Sequence, residues 1–284
     1  METQADKLLN LVKEKEKRGR TRIVSVASGK GGVGKTGFAT SLAYVLANTF
    51  SKKVLLLDCD IGLGNVHLLL GLNPERNLKS VLSGRSIEEV VQSAYNFDVV
   101  LGFSGINSVE ELESVESSSI FLQLESVLNR YDYVILDNSA GLNRNTIGFS
   151  RLASVTYVVT TPEPTALTDA YAFIKSLYKL YGYSSFKVVV NMVSSRREGF
   201  ETFERLDTST RKFLSLPLKL AGILPLSKRV KEALKFGRPV LELFPGDEYS
   251  VEMKKIAQLE TGEAIPEEES GIVSRLLRFL REGV

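Results

Sequence analysis

Short runs of β-branched and aliphatic residues recur along the middle of the chain, separated by longer stretches with helical spacing. Ile23–Ala27, Val54–Asp58, Asp98–Gly102, Tyr133–Asp137, Thr156–Thr160, Lys187–Val190 and Leu218–Leu224 are mostly continuous apolar runs. Such runs predict strands buried on both faces, as in a parallel sheet covered by helices. Helical patterns fall at Gly37–Thr49, Ser117–Leu128, Asp169–Leu180 and, after the last run, Val230–Phe236. The alternation predicts one α/β domain over residues 21–258, with a doubly wound, mostly parallel sheet.

The two ends break this pattern. Residues 1–20 form an extension whose later part is rich in Lys and Arg, with a short apolar face at Leu8, Leu9, Leu11 and Val12. Residues 259–270 carry Glu260, Glu263, Glu267, Glu268 and Glu269 around Pro266, which predicts an acidic, flexible linker. In residues 271–284 a helical wheel places Ile272, Val273, Leu276, Leu277, Phe279 and Leu280 on one side. Arg275, Arg278 and Arg281 fall on the other. A helix of that kind is expected to lie on an anionic membrane surface.

Composition narrows the chemistry. The chain has 284 residues, 43% of them hydrophobic and 25% charged, enough for a sizeable core. Its net charge is +2, a sum in which a basic leader, an acidic linker and a basic tail nearly cancel. That balance argues against a DNA-binding protein. A single Cys (Cys59) and a single His (His67) exclude an internal disulfide and a Cys/His zinc site within one chain. Cys59 reads as a small buried filler and His67 as a structural or surface residue. With no apolar run of about 18 residues and no apolar leader core, the chain is expected to be cytoplasmic.

Directly after the run Ile23–Ala27 come Gly29, Lys30, Gly31, Gly32, Val33, Gly34, Lys35 and Thr36. This fits G-x-x-x-x-G-K-[ST] with a strand before and a helix after, the context in which backbone N–H groups wrap phosphate oxygens. Lys35 is expected to reach the β- and γ-phosphates, and Thr36 to place its hydroxyl on Mg²⁺. Asp58 and Asp60 end the second strand, where ligands bind in doubly wound sheets. Two carboxylates there call for a cation, and Asp58 is expected in the Mg²⁺ shell. Asp137, closing Tyr133–Asp137, has the place of a carboxylate that holds an Mg²⁺-bound water. Nothing in the set is a strong general base, so slow turnover is expected.

The segment GKGGVGKT resembles the deviant Walker A loop of the MinD/ParA ATPases, and the resemblance extends over about residues 20–250. It implies that Lys30 crosses the interface of an ATP-sandwiched homodimer to the partner's nucleotide. Leu57–Asn65 is similar to the family's first switch segment, which implies that Asp60 orients the attacking water. Asn138-Ser139-Ala140-Gly141 is similar to the second switch. The resemblance also implies that Asn191 hydrogen-bonds adenine and that the segment after Pro225 covers the base, favouring ATP over GTP. The chain departs from the family at Gly37, where a second Thr is usual, and at Ser139, where Pro is more common. Arg196 and Arg197 read as part of a solvated loop.

Within the class, Thr161–Tyr171 and Val190–Val193 look like the FlhG (FleN) branch, which controls flagellar number and placement. Thr3–Leu9 keeps the Gln, Ala and Leu of that branch's D-Q-A-x-x-L-R motif, with Thr for Asp and Leu for Arg. The resemblance implies an FlhF-type GTPase partner for residues 1–20, flagellar basal-body partners, and peripheral attachment at the inner face of the cell membrane through 271–284. A MinD-like regulator of cell division and a ParA-like DNA-partitioning ATPase are the alternatives.

Overall fold

In a computed structural model the chain is described over residues 21–60, 64–102 and 127–265. The central strand β1 (Arg22–Ser28) pairs in parallel with β5 (Tyr133–Ala140) on one side and β6 (Val155–Thr160) on the other. Outward from β5 lie β2 (Val54–Cys59), β4 (Phe97–Val100) and β3 (Gln92–Ala94); outward from β6 lie β7 (Phe186–Val193) and β8 (Lys219–Pro225). The order is β3-β4-β2-β5-β1-β6-β7-β8, and only β3 runs antiparallel. β3 escaped the apolar pattern because it is three residues long. It is closed onto β4 by Tyr95 and Asn96, both left-handed (φ 51° and 65°), the geometry of a two-residue hairpin turn.

The chain leaves β1 toward β2 and, after returning through β5, fills the opposite side from β6 onward. β1 is therefore the point where the winding reverses, and the crevice at its carboxyl end is where such sheets bind ligands. One face is covered by α1 (Lys35–Asn48) and α10 (Glu248–Thr261), the other by α5 (Arg144–Leu152), α6 (Pro164–Tyr181) and α7 (Arg196–Leu214). Phe38, Leu42 and Leu46 of α1 pack with Val24, Val26 and Leu56 of the sheet in one fully buried cluster. Phe173, Ile174 and Leu177 of α6 pack with Val158, Val188 and Val190 in another. Alternate residues of β2 serve different layers, Val54 and Leu56 facing one and Leu55 and Leu57 the other, so the run reads as continuously apolar.

Three expectations are corrected. Arg196 and Arg197 do not lie in a loop. They open α7, capped by Ser195, whose hydroxyl accepts from Glu198 N–H at 3.2 Å. The buried stripe of α7 includes Gly199, Thr202 and Thr210 among its members, so its helical period is faint in apolar residues alone. Asn191 does not follow its strand but lies inside β7, which continues past it to Val193. The acidic linker does not begin at residue 259, because α10 continues to Thr261 and the Glu260 side chain has no solvent exposure. Its carboxylate accepts from Arg22 Nε at 2.5 Å, Tyr157 Oη at 2.6 Å and Lys187 Nζ at 2.6 Å. Glu260 thus pins the end of α10 to the amino-terminal halves of β1, β6 and β7, at the end of the strands away from the crevice. The extension 1–20, most of the helix expected at Ser117–Leu128, residues 266–270 of the linker and the tail 271–284 lie outside the described residues.

Candidate nucleotide site

Beyond β1 the chain turns through Gly29–Gly34 into α1. Gly29 is required by close approach: a Cβ there would lie 2.2 Å from the backbone carbonyl carbon of Asp169 in α6. Gly34, which precedes the first residue of α1, is left-handed at φ 85°. The loop and the start of α1 form the floor of a cleft of about 530 Å³, lined by Lys30, Gly31, Gly32, Val33, Gly34, Lys35, Thr36 and Gly37. That volume suits a small-molecule ligand. No residue in the first turn of α1 is acidic, so the loop N–H groups and helix dipole face the cleft without a competing carboxylate there.

Charge is concentrated under this floor. Lys35 is buried and its Nζ lies 2.8 Å from Oδ1 of Asp137, which lies inside β5 because that strand continues past it to Ala140. Asp58, at the end of β2, is the direct register neighbour of Asp137 and is equally buried. Burial, reinforced by the Asp137 charge, pushes the Asp58 carboxyl up to about 7. Burial also raises Asp137, against the opposing pull of Lys35 and the Thr36 hydroxyl. One ammonium therefore serves two crowded carboxylates. The oxygen donors Thr36, Asp58 and Asp137 fit Mg²⁺, which is typically held by one or two carboxylates together with water and substrate phosphates. Asp60 lines the cleft itself, and its N–H donates to Asp58 Oδ1 at 3.0 Å. Gly29, Asp58 and Asp137 do not line the cleft but support its floor.

At the far wall stand Asn191, Met192 and Pro225, with Leu226, Val230 and Arg238 from the segment after β8. Asn191 is 4% exposed, and its Nδ2 donates to the Val33 carbonyl at 2.8 Å. Lys30 sits on the exposed rim, where its Nζ donates to Glu163 Oε2 at 2.8 Å and to Thr165 Oγ1 at 3.0 Å. Sequence reasoning gave Glu163 and Thr165 no role, although they lie in the Thr161–Tyr171 segment it singled out. Only the start of α6 beside the loop reveals the pairing. Ser139 belongs to a hydroxyl network with Thr146 (3.1 Å) and Asn143 (2.9 Å), which fixes the second switch segment to the start of α5. Arg196 and Arg197 pair with Glu252 and Glu201 and do not line this cleft. Cys59 is buried with its thiol pushed up by burial, as expected of a filler. No helix among the described residues is long and apolar enough to cross a membrane.

Comparison with known proteins agrees with this geometry. Residues 24–240 match the family described as the CobQ/CobB/MinD/ParA nucleotide binding domain. The antiactivator FleN of Pseudomonas aeruginosa is 35% identical over 239 residues, covering 84% of this chain and 85% of that protein. The flagellum site-determining protein YlxH of Helicobacter pylori is 32% identical over 296 residues, covering 99% and 100%. Among solved structures, the septum site-determining protein MinD with Mg-ADP from Pyrococcus horikoshii superimposes with a TM-score of 0.69 at 23% identity, over 85% of this chain and 96% of that one. The chain belongs to the CobQ/CobB/MinD/ParA nucleotide-binding family, as a MinD-like P-loop ATPase.

Proposed function

We propose that the chain is an ATP-driven switch that dimerises around nucleotide, associates with the membrane and regulates flagellar number or placement. The observation that carries the dimer is Lys30. It lies in the phosphate-binding loop, yet it points along the exposed rim to Glu163 while Lys35 occupies the buried position beneath the phosphates. An exposed ion pair such as Lys30–Glu163 is worth about 0–1 kcal/mol, so a neighbouring triphosphate can displace it. The flagellar role rests on the likeness to FleN and YlxH.

In this reading the loop N–H groups bind the phosphates and Lys35 leaves Asp137 to reach the β- and γ-phosphates. Thr36, Asp58 and Asp137 would hold Mg²⁺, directly or through water, and the ion would supply charge neutralisation on the triphosphate. Asp60, at the cleft wall and tied by its N–H to Asp58, orients the attacking water. Lys30 of each copy reaches the other's nucleotide, and loss of the γ-phosphate removes the contact that holds the copies together. Two tails in a dimer engage lipid where one binds weakly, because the second contact is intramolecular. Residues 1–20 are the contact for an FlhF-type GTPase, and flagellar basal-body proteins bind the dimer.

Co-sedimentation of the full chain with phosphatidylglycerol-containing vesicles tests the membrane part. Binding should need ATP and Mg²⁺ and vanish on deletion of residues 271–284; a truncated chain that still sediments excludes the tail as the anchor.

A further inference from the structure

We infer that Asn191 is a positioning residue of the phosphate-binding loop, a strut from the base side of the cleft, in addition to whatever it offers the base. The inference rests on the nucleotide-site reading above. The side chain is 4% exposed, and its Nδ2 donates to the Val33 carbonyl at 2.8 Å. Val33 is itself 4% exposed and lies at the turn of the loop. Without the amide, that carbonyl would lose a buried partner, which costs more than an exposed hydrogen bond does.

The backbone around Asn191 serves this contact. β7 shifts register against β8 twice, between Val188 and Val189 and again between Val190 and Val193. Met192 lies in the left-handed region at φ 59°, a conformation that costs a non-glycine side chain energy and that native structures keep where it has a purpose. The second of these shifts brackets Asn191, where it meets the loop. The fit is tight on the loop's side as well: a Cβ at Gly34 would lie 2.3 Å from Asn191 Nδ2 and 3.3 Å from Met192 Cε. Gly34 therefore answers two demands, its left-handed φ and the space for this amide. The strut ties the wall that receives the base to the loop that receives the phosphates, so a loosened Asn191 should degrade phosphate binding whatever base is attached.

The test compares ATP with inosine triphosphate, which lacks the exocyclic amine of adenine. Affinities of both, with Mg²⁺, are measured by isothermal titration on the full-length wild type and on Asn191→Ala. A strut predicts that both nucleotides weaken by the same factor, about tenfold for one lost buried hydrogen bond. A loss confined to ATP, with inosine triphosphate bound as in wild type, overturns the inference and leaves Asn191 a reader of adenine alone. Asn191→Ser, too short to reach Val33 but still polar, should match Asn191→Ala; wild-type affinity in it also overturns the inference. Thermal unfolding of each variant shows that the titrations are made on folded protein. A wild-type chain that bound neither nucleotide would overturn the ATPase reading itself, a failure distinct from equal behaviour of wild type and variants.

Discussion

The Glu260→Gln substitution keeps shape and removes one charge from a site where three donors converge. The Glu260 side chain is wholly buried, while those of Lys187 and Arg22 are 20% and 43% exposed. Removing one member of a buried ion pair costs about 3–5 kcal/mol when its partner is left dry. Here both cations retain access to water, and the amide can still accept from Tyr157, so the cost should fall to about 2–3 kcal/mol. For a domain of this size that is about 5–10 °C in Tm. Lys187 also lies 5.3 Å from the centroid of the Tyr157 ring, a contact the substitution leaves in place. Urea unfolding followed by circular dichroism reads the change as a shift in midpoint at constant slope. The control is Glu263→Gln, whose carboxylate pairs with Lys52 in a half-exposed position and should contribute under about 1 kcal/mol. A Glu260→Gln unfolding free energy within about 0.5 kcal/mol of wild type would refute the view that this carboxylate anchors α10 to the sheet.

Two further outcomes are expected. Lys30→Ala should bind ATP but remain a monomer by light scattering, and an ATP-dependent dimer of that variant would rule out the cross-interface lysine. In the Mg²⁺-free chain the Asp58 carboxyl titrates near 7 when folded, against an ordinary value of 3.8. Between those values the folded chain keeps a proton that the unfolded chain has released, so this group's contribution to stability declines as pH rises through that window. Urea midpoints should therefore fall more between pH 5 and pH 8 in wild type than in Asp58→Asn, and equal slopes would contradict the assignment.

The sheet and the loop were legible in the sequence because each rests on local chemistry. Val54–Asp58 could be only a buried strand, and Gly29–Thr36 carries its geometry in its glycines. Asp58 and Asp137, distant in sequence, could be assigned to one ion because both end apolar runs, and β2 and β5 do lie side by side. What stayed hidden depends on contacts between distant segments. Glu260 reads as one acid among several near Pro266, and only packing against Arg22, Tyr157 and Lys187 distinguishes it. The helix α7 buries threonines and a glycine, so its apolar period is weak. Asn191 was legible as a residue of the site, but its bond to Val33 spans 158 positions and needs the bulge at Met192.

The central claim is that ATP holds two copies together until it is hydrolysed, and Asp60→Ala tests it most directly. Light scattering of that variant with ATP and Mg²⁺ should give a persistent mass of twice the 31.4 kDa chain, while ADP leaves it monomeric and phosphate release stops. An Asp60→Ala chain that stays monomeric with ATP, or that releases phosphate as fast as wild type, would contradict the account.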